Sequence, residues 1–237
     1  MSFTKSRAFS VIYMFVISAV FAGVLTGIRT GTADRVADNE KTARNRNLVE
    51  VFELIETGPD TTGQALEKAV EKNVQQLWVV EKESGPVIVQ EQPADSDNVV
   101  YCMWALVDSD KKPRAYAFPV GGSGFWGPIE GIMSVDTDFE TIRTVVWTRQ
   151  TETPGLGARI EEDAYREKFR GKKAPDPEEQ RFEVVPEGTM GDDAYKVDQI
   201  SGATQTTVVG MGRFLNDNFA KWHRYRPLVE SYFNRRD

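Results

Sequence analysis

Cysteine and histidine are almost missing from this chain. The single Cys102 excludes an internal disulfide framework, a CxxC redox pair and a thiolate metal cluster. The single His223 argues against a Ser-His-Asp triad and leaves no His-rich metal site, so neither a catalytic side chain nor a metal centre is expected. A surplus of positive charge is missing too. With 29 Lys and Arg against 36 Asp and Glu, the net charge of −7 argues against a nucleic-acid partner, which needs a basic face to neutralise phosphates. There is also no repeat period and no extended low-complexity linker. The 237 residues are enough for one sizeable core.

One long uncharged run is present. Residues 9–28, FSVIYMFVISAVFAGVLTGI, carry no charge, and fifteen of the twenty are apolar. As a helix of 1.5 Å rise per residue, this run matches a hydrocarbon core of about 30 Å. Lys5 and Arg7 precede it, and positive charge tends to stay on the cytoplasmic side. The pattern predicts a cytoplasmic tail over 1–8, a single transmembrane helix over 9–28, and the rest of the chain on the outer, periplasmic side of a bacterial inner membrane. A cleaved signal peptide ending near Gly31 and Ala33 is the competing reading, although signal apolar regions are usually about 7–15 residues long. Beyond Arg7 the chain has 27 basic and 36 acidic side chains, so the exported part is not drawn to anionic lipid by its own charge.

Residues 34–56 are rich in helix formers, with Val36, Leu48, Val51, Phe52 and Ile55 as apolar positions. They predict a helical stalk, placed over 29–62, that the Gly-Pro pair in ETGPD (56–60) terminates. From 63 to 77, Ala65, Leu66, Ala69, Val70, Val74 and Leu77 recur at helical spacing. Six β-type runs follow, starting at Leu77, Pro86, Val99, Ala115, Ile129 and Ile142, with turn signals such as 108–113 between several of them, which favours antiparallel pairing. Residues 160–169 read as a short helix and 171–180 as a charged surface loop. The expected fold class is α+β: one mixed domain over 63–237 with mainly antiparallel strands.

Three glycine-bearing motifs compete for the chemistry. Gly122, Gly124 and Gly127 satisfy GxGxxG, but Pro128 and the alternating Ile129, Gly131, Met133 and Val135 that follow are strand-like. Without a helix start beyond the glycines there is no Rossmann pyrophosphate seat. Ser123 misses a nucleophile elbow, since Phe125 stands where the second glycine would be. The segment reads as a glycine-rich turn beside two large aromatics, Phe125 and Trp126, either core residues or a ring-stacking platform. In TETPGLGARI (151–160), Pro154 and Gly155 make a tight turn, and Gly157 lets backbone approach something closely. The third motif, VDQISGATQTT (197–207), precedes a helix whose Val208, Met211, Leu215, Phe219 and Trp222 form one apolar stripe. The helix start near Ala203 and Thr204, just after Gly202, is either a seat for phosphate or an ordinary N-cap.

Taken together, Asp198-Gln199-Ile200-Ser201-Gly202-Ala203-Thr204 downstream of Glu152-Thr153-Pro154-Gly155-Leu156-Gly157 resembles the FMN-binding domain of the C subunit of sodium-translocating NADH:quinone reductases. The related G subunit of Rnf electron-transport complexes carries the same pattern, and the sequence around Phe125 to Ile129 falls between the two. The resemblance implies covalent FMN, held by a phosphoester to Thr204 and installed by a flavin transferase that uses FAD and Mg²⁺. It implies recognition or proton acceptance by Asp198 during that attachment, a hydroxyl kept accessible by Gly202 and Ala203, and Ser201 as a further cofactor-binding residue of the motif. The flavin ring is then expected against Trp126 and Leu156, with Glu152, Thr153 and Gly155 near its edges. As no NADH pocket is recognisable, the implied activity is that of an oxidoreductase subunit relaying electrons between other subunits of an ion-translocating membrane complex. A stand-alone anchored flavoprotein, a structural assembly subunit without cofactor and an anchored binding protein for a free ligand stay open on the residues themselves.

Overall fold

The computed structural model describes residues 7–58, 60–93, 98–200 and 205–235. The chain divides into two units, residues 1–44 and residues 45–237. The described part of the first, residues 7–44, lies in helix α1 (Arg7–Val51). This helix is long and apolar enough to cross a membrane, and its side chains from Val11 to Ile28 are exposed. Unpaired apolar side chains on every face suit lipid rather than water.

The second unit begins with the last turns of α1, where Leu48, Val49 and Val51 are buried. The helix stops at Val51, before the ETGPD segment expected to end it. Glu53 adopts a left-handed backbone (φ 52°) and Leu54 N–H closes back on the Val49 carbonyl at 3.0 Å. The Glu53 carboxylate accepts from Arg170 at 2.6 Å and lies 3.5 Å from Arg143, contacts that hold it below the usual carboxylate range.

Helix α2 (Gly63–Asn73) is capped by Thr62, whose hydroxyl accepts from Ala65 N–H at 3.3 Å. It is shorter than its apolar spacing suggests. Val74 and Leu77 belong instead to strand β1 (Val74–Lys82), because pairing with the next strand from Val74↔Leu106 onward overrides local helical preference. The other strands are β2 (Gly85–Val89), β3 (Val99–Val107), β4 (Pro113–Ser123), β5 (Pro128–Asp136) and β6 (Ile142–Arg149). All six anticipated runs are thus strands of one sheet, in the order β2-β1-β3-β4-β5-β6, and every pairing is antiparallel.

Residues 157–169 do not make the single helix expected over 160–169. Two 3₁₀ turns (Gly157–Glu161 and Glu167–Phe169) flank one short α-turn, α3 (Asp163–Arg166). Strands β7 (Glu183–Val185) and β8 (Lys196–Asp198) form a small parallel pair, too short for a sequence period to reveal. Helix α4 spans Gln205–Asn234.

Strand alternation sorts the side chains onto two faces. Met103, Phe118, Met133 and Val145 point to one face, where Met211, Phe214, Leu215, Phe219 and Trp222 of α4 complete the main core. Trp104, Ala117, Ile132 and Val146 point to the other and meet Leu48, Val51 and Phe52 at the end of α1. Trp222 stacks on Phe118 with ring centroids 4.6 Å apart and donates to the Phe139 carbonyl at 2.9 Å, so its one polar atom is satisfied. The architecture is α+β with mainly antiparallel strands, as expected, and the sheet is covered on both faces.

Two outcomes follow from this packing. Trp222→Ala removes a fully buried ring and should cost about 3–5 kcal/mol in chemical denaturation of the detergent-solubilised chain. The second concerns Asp138 in the β5–β6 turn, which accepts from Thr141 Oγ1 (2.5 Å), the N–H groups of Thr141 (2.8 Å) and Glu140 (2.9 Å), and Lys173 Nζ (3.1 Å). Burial pushes its carboxyl up, but these donors outweigh burial and hold it well below 3.8. Its contribution is therefore complete above the unfolded pKa and lost as pH falls toward the folded one. The wild-type Tm should fall on acidification below about pH 4, and Asp138→Asn should flatten that fall.

Candidate functional site

The β4–β5 turn is built to be held from below. Ser123 pairs with Pro128, leaving Gly124 to Gly127 as a four-residue loop closed by Gly124 N–H to the Gly127 carbonyl at 2.8 Å. The buried Glu152 side chain reaches under it. Its Oε1 accepts from Phe125 N–H at 2.8 Å and from Trp126 N–H at 3.2 Å. Gln150 Oε1 accepts from Glu152 N–H at 2.7 Å and fixes the base of the carboxylate arm.

Glycine is required on both sides of this carboxylate. A Cβ at Gly124 would collide with Glu152 Oε1, and one at Gly157 would lie 2.9 Å from both Cβ and Oε2 of Glu152. Gly157 thus allows a close approach, as its place in the sequence suggested, and the group that approaches is Glu152. Glycine also suits the 153–156 turn, where Gly155 takes φ +74°. There Thr153 accepts through its carbonyl from Leu156 N–H (3.1 Å) and Ala158 N–H (3.2 Å).

This scaffold leaves apolar side chains facing solvent. Trp126 is 66% exposed, Phe125 46% and Leu156 43%, so the aromatic pair is not core packing. The Phe125 and Trp126 rings meet edge to face, with centroids 4.8 Å apart. An open cleft of about 600 Å³ is lined by Gly121 to Pro128 and Glu130. Helix α4 is anchored beside it: Asn218 Nδ2 donates to the Gly121 carbonyl at 2.8 Å, and Phe214 lies against Gly122. A larger cavity of about 900 Å³ lies at the opposite ends of β4 and α4, around Tyr116 and Phe233, and is lined by none of the described residues of the glycine motifs.

Of the residues singled out in the sequence, Glu152 is brought against the Trp126 backbone, and Thr153, Gly155 and Leu156 follow it in the same loop. The Glu152 carboxylate is turned into the scaffold, beneath the aromatic pair. Ser201, Gly202, Ala203 and Thr204 lie outside the described residues. Asp198 ends β8 and does not join the Glu152 cluster: its Oδ1 accepts from the N–H groups of Thr189 (3.1 Å) and Met190 (3.0 Å). Burial pushes the Asp198 carboxyl up, but the amides of Gly188, Met190 and Thr189 and the Lys168 charge outweigh it and hold it below its ordinary value. Gln150 and Tyr165 escaped the sequence reading, since nothing in their local pattern sets them apart from ordinary polar and aromatic residues.

The arrangement fits a flat, amphipathic ring. The cleft is lined by the exposed Phe125 and Trp126 rings and by glycine backbone, and Leu156 is a further exposed apolar side chain on the 153–156 turn. The comparisons agree with this class: residues 124–210 match the family of FMN-binding domains, a span that takes in the aromatic turn, the Glu152 loop and the Ser-Gly-Ala-Thr segment.

More particularly, the chain is similar to the C subunits of Na(+)-translocating NADH-quinone reductases. It is 36% identical over 103 residues to the C subunit of Vibrio anguillarum, covering 43% of this chain and 40% of the relative. It is 32% identical over 165 residues to that of Chlamydia muridarum, covering 58% and 51%. The chain thus spans about half or less of the curated relatives it matches. The crystal structure of the C subunit from Parabacteroides distasonis superposes with a TM-score of 0.62 at 25% identity, covering 80% of this chain and 94% of that one. Shewanella oneidensis NqrC gives 0.64 at 20% identity, covering 80% and 99%, which supports the fold.

Glu152→Ala should strand the Phe125 and Trp126 N–H groups and cost about 1–3 kcal/mol in urea denaturation, whereas Glu152→Gln, which keeps an acceptor oxygen, should cost less than half as much.

Proposed function

We propose that this chain is the membrane-anchored, electron-carrying C subunit of a Na⁺-translocating NADH:quinone reductase, with FMN esterified to Thr204. The observation that carries the reading is the Glu152-held turn with its exposed Trp126 and the neighbouring Leu156, inside a segment matching FMN-binding domains. The relatives named above are C subunits, which favours this complex over the Rnf type. Bound FMN supplies one- and two-electron chemistry, and the protein supplies position and electrostatics.

In this reading Trp126 and Leu156 offer apolar surface to the ring, and Thr153 and Gly155 shape the turn that carries Leu156. Glu152 holds the Trp126 backbone in place from below. A covalent link suits an exported protein, since it makes cofactor binding intramolecular, with effective concentrations of order mM. No His neighbours Thr204 in sequence to activate its hydroxyl, so attachment is assigned to a separate transferase. Such a transferase would join the Thr204 oxygen to the FMN phosphorus of FAD as the phosphoanhydride bond breaks, with AMP as leaving group and the hydroxyl proton passing to a base. Helix α1 supplies the membrane anchor, with residues 29–44 as stalk; residues 45–62, expected in the stalk, pack with the folded unit, and 45–237 lie on the periplasmic side.

Thr204→Val should abolish the yellow fluorescence that survives denaturing gel electrophoresis, and the FMN mass on the peptide containing residue 204, without lowering Tm by more than about 3 °C. Label persisting on Thr206 or Thr207 would move the attachment site; wild-type protein matured in its own host and yet colourless would end the flavin reading.

A further inference from the structure

The family resemblance implies recognition or proton acceptance by Asp198 during flavin attachment, but its surroundings suit a different task. Its side chain is 8% exposed and turned into the 186–190 turn, with Oδ1 shared between the amides of Thr189 and Met190. That turn closes on itself, as the Thr189 N–H and Oγ1–H both donate to the Pro186 carbonyl. It is joined to the sheet pair directly upstream of the acceptor segment: Gln199 N–H donates to the Val185 carbonyl at 2.7 Å, and Ile200 is buried.

The downstream side is fixed by a neighbouring group. Tyr165 Oη–H donates to Met211 Sδ, in the second turn of α4, at 3.3 Å. The Tyr165 hydroxyl is held above its ordinary value by burial and by the Asp198 charge, which places the two side chains in one electrostatic neighbourhood. Two fixed points, Asp198 before and Met211 after, therefore bracket residues 199–210. An oxygen already engaged by two amides, on a carboxyl held below its usual range, is a weak base.

We infer that Asp198 is a positioning residue for flavin attachment: by locking the 186–190 turn onto the end of β8, it fixes the backbone of Gln199 and Ile200, the last described residues before the Ser-Gly-Ala-Thr segment, and it takes no proton from Thr204. The inference rests on the proposed flavin attachment. It explains why an acid stands six residues before the acceptor without requiring contact with the reacting hydroxyl.

The test co-expresses the full-length chain with an FAD-dependent flavin transferase and reads flavin per chain by in-gel fluorescence and intact mass, with a thermal melt of every variant. Asp198→Ala should lose label at least tenfold, and Asp198→Asn, which keeps an acceptor oxygen, should retain at least a third of it. Thr189→Pro leaves the carboxylate untouched but removes one of its donors, and should lose label at least fivefold. If Thr189→Pro fails to melt cooperatively, Gly188→Ala decides. Gly188 sits at φ +79° with open space around its Cβ position, so alanine strains the same turn mildly; a loss of at least twofold supports the inference and wild-type labelling overturns it. The pH dependence of the labelling rate should be the same for wild type and Asp198→Asn. Asp198→Asn as inactive as Asp198→Ala beside a fully labelled Thr189→Pro, or a shifted pH profile, would return Asp198 to the proton-transfer step. An unlabelled wild type would overturn the flavin reading on which this inference rests.

Discussion

The fold and the site share one dependence: the apolar stripe of α4 must be covered, and the sheet face carrying Met103, Phe118 and Met133 is what covers it. Burial of one large side chain on such a face contributes about 1.5–3 kcal/mol, so Phe214, Leu215, Phe219 and Trp222 together fix the helix firmly. Once they seat, Asn218 meets the Gly121 carbonyl and Phe214 reaches Gly122, so the first turns of α4 lie beside the glycine-rich end of β4. A cofactor site assembled from two distant stretches of chain can then be held on rigid elements, with loops supplying only the final contacts.

Within that frame, the polar part of the site is stabilised from the inside. Glu152 is buried and spends one carboxylate oxygen on the backbone of Phe125 and Trp126. A short loop bearing two adjacent aromatics would ordinarily fold them inward; here the loop's own amides are satisfied by a group below it, so the rings face solvent. Asp198 works the same way on the 186–190 turn. In both places a carboxylate from a motif organises neighbouring backbone instead of presenting itself at the surface.

Much of the fold was legible because its periodicities are strong. The six β-type runs are all strands, and the α4 stripe at Met211, Leu215, Phe219 and Trp222 is buried as its spacing implies. The misreadings fall at element ends. Val74 and Leu77, three apart, continue the helical period of α2, but pairing with β3 draws them into a strand, where they point to opposite faces. Helix α1 ends at Val51, where Glu53 turns left-handed and pairs with Arg170 and Arg143, contacts that no local signal announces. The parallel pair β7–β8 is three residues long on each side, below the length at which alternation means anything.

Sequence by itself determined the membrane-length apolar helix, the antiparallel sheet and the three glycine motifs, because hydrophobic spacing and the steric freedom of glycine are properties of local chain. It also singled out Trp126, Glu152, Leu156 and Asp198. Only the tertiary structure decided what those residues face. Whether Trp126 is core or platform, and whether a carboxylate meets solvent or backbone amides, depends on partners 26 and 27 residues away for the aromatic turn. For Asp198 it depends on a turn eight and nine residues upstream. A directional hydrogen bond between segments so placed exists only after the sheet and α4 have packed.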